Sequence, residues 1–110
     1  MKKDILAVDS DDLIRNMLVR MFKREFDVTP SPGGDDALYV VRNKRCDLII
    51  MNSWPDMDPH RFIRLAREAK PRVPILLFTG GTSLKLDVNA TYVKCDPTDG
   101  LRRMVAHLTG

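Results

Sequence analysis

Asp9, Ser10, Asn52, Thr79 and Lys94 each stand at the end of a short apolar run, and they are the residues whose types suit chemistry at a shared point. Asp9 and the nearby Asp11 offer the anionic oxygens that a hard divalent cation prefers. Asn52 offers a neutral amide, a very poor nucleophile beside a carboxylate. Gly80-Gly81-Thr82-Ser83 supplies backbone amides where a strand should finish, an arrangement able to cradle an anion, although it has no P-loop or dinucleotide fingerprint. Other types offer less. His60 and His107 are far apart in sequence and suggest neither a catalytic pair nor a metal site. Cys46 and Cys95 lack metal-ligand spacing and read as unpaired, partly buried thiols.

The elements that must position these residues follow from periodicity. Ile5 to Val8 reads as a first strand; Asp9-Ser10-Asp11-Asp12 then opens a helix whose stripe is Ile14, Met17, Leu18, Met21 and Phe22. Phe26 to Thr29 reads as an edge strand broken by Pro30, followed by a helix that turns Ala37, Leu38 and Val41 inward. Asp47 to Met51 is nearly all apolar, as a central strand covered on both faces requires. Asp58 is placed to cap a third helix with Pro59 at its first position and Phe62, Ile63, Ala66 and Ala69 on the buried side, and Pro71 stops it. Pro74 to Thr79 and Thr91 to Lys94 give two more strands, and Leu101, Met104, Val105 and Leu108 a last helix. Alternating units of this kind predict an α/β, doubly wound parallel sheet, with the functional crevice at the carboxyl ends of its strands.

Composition narrows the class. At 110 residues, 44% hydrophobic and 30% charged, the chain reads as one domain spanning 1–110, neither disordered nor collagen-like nor a disulfide-stapled mini-protein. Eighteen Lys and Arg against fifteen Asp and Glu give a net charge of +3, too mild an excess to establish nucleic-acid binding. No apolar stretch approaches spanning length, and Met1-Lys2-Lys3 leads to Asp4 rather than to a signal-peptide core, so a cytoplasmic location is expected.

Five segments, taken in order, resemble a response-regulator receiver domain of two-component signalling. They are Ile5-Leu6-Ala7-Val8-Asp9-Ser10-Asp11, Gly33-Gly34-Asp35-Asp36-Ala37-Leu38, Asp47-Leu48-Ile49-Ile50-Met51-Asn52, Pro55-Asp56-Met57-Asp58 and Val73-Pro74-Ile75-Leu76-Leu77-Phe78-Thr79. The resemblance implies a flavodoxin-like five-stranded sheet in the order 2-1-3-4-5. It also implies an aspartate that takes a phosphoryl group from a histidine kinase, with Mg²⁺ held by neighbouring carboxylates.

The chain departs from that pattern at the chemistry. Asn52 falls at the phosphoacceptor position, and counting from Pro55 instead would move the acceptor to Met51; neither is an aspartate. Ser10 takes the place of the second acid of the first-strand pair. That leaves Asp9 as the one matched carboxylate of the remnant pocket Asp9, Ser10 and Asp11, so no cofactor is expected and Mg²⁺ binding should be lost or weak. Thr79 matches the hydroxyl residue that senses the phosphoryl group, Tyr92 the aromatic that moves with it, and Lys94 the pocket lysine, which would pair with Asp9. Too few positions separate Thr79 from Lys94 for the family's full fourth helix, which is expected to be shortened or missing and the output face remodelled.

The function expected is that of a non-enzymatic, phosphorylation-independent interaction module with a protein partner, a signalling protein or histidine kinase, contacted through Trp54 and Pro55 on the loop beside the crevice. The alternative is a phosphotransfer-competent receiver with a displaced acceptor, Asp56, Asp11 or Ser53; Asp56 otherwise reads as a turn residue. Small-ligand binding at Gly80–Ser83 is a third reading. Arg61, Arg64, Arg67, Lys70 and Arg72 read as the solvated face of the third helix, with no aromatic platform for nucleic acid. Oligomeric state is not legible.

Overall fold

The computed structural model describes residues 2–52, 57–80, 86–93 and 98–110, at Thr98 by its backbone only. The apolar runs form β1 (Lys3–Val8), β2 (Phe26–Ser31), β3 (Leu48–Met51), β4 (Ile75–Thr79) and β5 (Ala90–Val93). The helices are α1 (Asp12–Phe22), α2 (Gly34–Asn43), α3 (Pro59–Ala69) and α4 (Thr98–Thr109). The strands pair in parallel in the order β2-β1-β3-β4-β5. Strand order therefore reverses between β1 and β3, the expected flavodoxin-like winding, and the crevice opens where those two strands end.

Both faces of the sheet are covered, which is why β3 and β4 are buried at every position. On one side Leu6, Val8, Ile49, Met51 and Ile75 meet Ala37, Leu38 and Val41 of α2 and Phe62, Ile63 and Ala66 of α3. On the other, Ile5, Ala7, Leu48, Ile50, Leu76 and Phe78 meet Leu18 and Phe22 of α1 and Leu101 and Val105 of α4. The helix starts follow the sequence. Asp11 caps α1 by accepting the Leu13 amide at 2.9 Å, and Asp58 caps α3 by accepting the His60 amide at 3.2 Å, with Pro59 next.

Two expectations are corrected. β2 is not broken by Pro30 but runs through it to Ser31. The reason is directional: the Ser31 carbonyl accepts the Asp9 amide at 3.1 Å, so Pro30, one residue earlier, faces the open edge, where its missing donor costs no ladder bond. β1 also begins two residues earlier than its apolar run, at Lys3 paired with Phe26.

Between β4 and β5 there is no helix among the described residues. Residues 86–89 form an irregular strap, turned where the Val88 amide donates to the Leu86 carbonyl at 2.9 Å, with Leu86 and Val88 packed on the α2 and α3 side of the core. Asn89 fastens the strap. Its amide donates to the Ile75 carbonyl at 2.9 Å, and its Oδ1 accepts both the Ile75 amide at 2.9 Å and Arg67 Nη2 at 3.1 Å.

Candidate functional site

Val8 lies opposite Met51 in the β1–β3 ladder, so the residues that follow, Asp9 and Asn52, leave the sheet side by side. The Asn52 amide donates to the Val8 carbonyl at 3.2 Å, which fixes this register up to the crevice. Asp9 is 3% exposed, and its Oδ1 accepts the Asp11 amide at 2.9 Å. Arg15 closes the turn: its Nη1 donates to the Asp9 main-chain oxygen at 2.6 Å, while its Nη2 pairs with Asp12. Ser10 and Asp11 are exposed. The Asp11 carboxylate serves α1 as its cap, an assignment that sequence alone left open between cap and pocket acid.

Chemically, this arrangement gathers one buried carboxylate, the amide of Asn52 and the buried hydroxyl residue Thr79. Met51 lies opposite Leu77, so Thr79 ends β4 one step further out than Asn52. Among the described residues no three His, Cys, Asp or Glu side chains gather into a cluster able to hold a metal ion. Asp9 is the one buried carboxylate among the described residues, a donor set that fits Mg²⁺ poorly because the ion prefers several anionic oxygens.

Thr79 and Tyr92 are not brought together. Phe78 is the ladder partner of Tyr92, and Thr79 is the partner of Val93. Side chains alternate along a strand, so Tyr92 shares the α1 and α4 face with Phe78 while Thr79 points to the other. Tyr92 is buried there, stacked on Phe78 with ring centroids 6.2 Å apart, and among the described residues its hydroxyl finds no hydrogen-bond partner. A Cβ at Gly100 of α4 would lie 3.1 Å from both Cε1 and the hydroxyl of Tyr92, so glycine is what lets the ring sit flush with the helix. That β4–β5 register is not visible in the chain positions of Thr79 and Tyr92 alone.

A second close approach shapes the crevice's rim. Met57, after the β3 loop, lies across the start of α2, where a Cβ at Gly34 would come within 2.8 Å of its Sδ and Cε. The Gly33-Gly34 pair was the signal for this contact, although sequence reasoning used it only as a helix start. Ser53, Trp54, Pro55, Asp56, Gly81, Thr82, Ser83, Lys94 and Cys95 lie outside the described residues; Gly80 is exposed. Cys46 is a free, half-buried thiol.

A five-stranded sheet in this order, with an aspartate on the turn after β1 and a hydroxyl residue closing β4, defines the receiver class of signalling domain. The chain belongs to the response regulator receiver domain family, whose model matches residues 5–98. It is 25% identical over 91 residues to a putative response regulator NtrX-like of Rickettsia bellii (strain RML369-C), covering 79% of this chain and 19% of that protein. It is 28% identical over 91 residues to the DNA-binding transcriptional regulator NtrC of Proteus hauseri, covering 81% of this chain and 19% of that protein. The chain thus spans about a fifth of the length of the curated relatives it matches. Among solved structures, chemotaxis protein CheY4 of Vibrio cholerae superposes with a TM-score of 0.88 at 24% identity, over 98% of this chain and 99% of that one. Response regulator TrrA of Thermotoga maritima, solved in complex with Mg(2+)-BeF, gives 0.87 at 25% identity over 96% and 98%. The protein is a receiver domain of the two-component response-regulator type. No helix among the described residues is long and apolar enough to cross a membrane.

Proposed function

We propose that this receiver works as a protein-interaction module that does not depend on phosphorylation and has no enzymatic step or Mg²⁺ of its own. The observation that carries the reading is the Val8–Met51 register, which sets the amide of Asn52, rather than a carboxylate, beside Asp9. An amide oxygen is too weak a nucleophile for phosphoryl transfer, and one carboxylate is a poor match for a divalent cation. Two further features support it. The Asp11 carboxylate is engaged at the α1 N-terminus, which argues against it as a displaced acceptor. Thr79 and Tyr92 lie on opposite faces, which removes the direct contact by which a hydroxyl residue could move the ring.

The partner class is a signalling protein. The receiver domain of hybrid histidine kinase CckA shares this fold, with a TM-score of 0.83 at 21% identity. Incubation with acetyl phosphate and Mg²⁺ followed by intact-mass measurement tests the reading. The expected result is no gain of a phosphoryl group; a stoichiometric gain, mapped to Asp56, Asp11 or Ser53, would replace it with a receiver that uses a displaced acceptor.

A further inference from the structure

We propose that α3 and the 86–89 strap form a docking groove for an acidic segment of a partner protein. His60, Ile63, Arg64, Arg67 and Asp87 line a cavity of about 190 Å³ between them. Arg67 is held in place by the strap: Nη1 donates to the Asp87 carbonyl at 2.5 Å and Nη2 to Asn89 Oδ1 at 3.1 Å. The same Nη1 lies 3.2 Å from Asp87 Oδ2, whose side chain is 95% exposed. The groove therefore already binds a carboxylate, one supplied by this chain and left almost wholly in water. Arg61 and Arg64 are exposed on the same helix and make no ion pair among the described residues.

This combination fixes the chemistry of the occupant. An ion pair this exposed is weak and readily exchanged, so a partner's carboxylate displaces Asp87 and gains the planar donors of Arg64 and a pre-oriented Arg67 together. Ile63 lines the cavity but is itself buried in the core, so recognition rests on the charged groups. Nucleic acid fits less well. The aromatic of α3, Phe62, is fully buried and offers no stacking platform, and Glu68 places a negative charge on the same helix. The Arg67 end of the groove lies beside Ile75, at the opposite end of β4 from Thr79. Docking there needs no phosphoryl group, so the inference stands whether or not the crevice accepts one.

Titrating the protein with N-acetylated hexaglutamate, followed by backbone amide chemical shifts, tests the groove. Saturable, salt-sensitive shifts are expected at residues 60–67 and 86–89. Arg64→Glu, an exposed change that leaves the core untouched, should weaken binding by about fivefold or more, and Asp87→Asn should tighten it by about two- to fivefold. Shifts absent from these segments, or binding indifferent to Arg64→Glu, would overturn the proposal. So would a random-sequence DNA duplex that binds more tightly than the peptide at equal salt and loses its binding with Arg64→Glu, since the surface would then belong to nucleic acid.

Discussion

Phe78 stands opposite Tyr92 across the β4–β5 ladder, and Thr79, the next residue, points through the sheet to the far side. The Tyr92 ring is consequently a core residue of the α1 and α4 face, where its hydroxyl has lost water without gaining a partner among the described residues. Tyr92→Phe should therefore stabilise the fold by about 1 kcal/mol, the cost of leaving a buried polar group unsatisfied. Urea unfolding checks this directly: the midpoint should rise at constant slope, and a fall would mean the hydroxyl does useful work in the native state.

Gly100 and Tyr92 should be energetically coupled. Alanine in a helix is favoured over glycine by up to about 1 kcal/mol, but a methyl 3.1 Å from a buried ring must displace it, and overpacking typically costs about 1–3 kcal/mol. Gly100→Ala is expected to destabilise by about 1 kcal/mol in the native background and to become neutral or stabilising in a Tyr92→Leu background. A double-mutant cycle measures the coupling, and a value within the ~0.3–0.5 kcal/mol scatter of independent sites would count against the contact.

Restoring acids should restore the cation. Ser10→Asp and Asn52→Asp together would add two carboxylates near Asp9, three in all, whose mutual repulsion should destabilise the apo protein. Mg²⁺ should then stabilise the double variant by about 1.4 kcal/mol at tenfold its dissociation constant, while the native chain shows no Mg²⁺-dependent change in Tm at millimolar concentration. Equal stabilisation of both proteins would show that Asp9 already holds the ion unaided.

Cys46 should be slow to alkylate. Its burial pushes the thiol from 9.0 up to about 11, which lowers the thiolate fraction at pH 8 by about a hundredfold. Peptide mapping after iodoacetamide treatment should find Cys46 protected in the native protein and modified in urea. Because the thiol binds its proton more tightly in the folded state, its contribution to stability is complete below about pH 9 and is lost as pH climbs towards about 11. Rapid native-state alkylation at pH 8 would contradict the burial.

Much of the fold was legible because its signals are local. Asp11 and Asp58 announce their helices by type and spacing, and the uniformly apolar β3 and β4 announce a sheet covered on both sides. What escaped depends on register between distant segments. Tyr92 resembles a switch aromatic by its position in the chain, yet a one-residue offset against β4 sends its side chain to the other face. Arg67 resembles any solvated helix charge, and its contacts with Asp87 and Asn89 join segments about twenty residues apart that no local pattern links. Pro30 read as a break because its lost donor was visible and its direction was not.

That direction bears on how copies of this protein meet. The side of β2 turned away from β1 is a ready template for another chain's strand, and Pro30 removes a donor from it near the crevice end. Pro32, just past the strand, denies a further amide to any attempt to extend the ladder. A neighbour seeking to zip onto this rim would meet a gap in the row of amides, which biases the molecule away from open-ended sheet growth. At this edge, contacts with a neighbour are favoured through side chains over the outermost backbone.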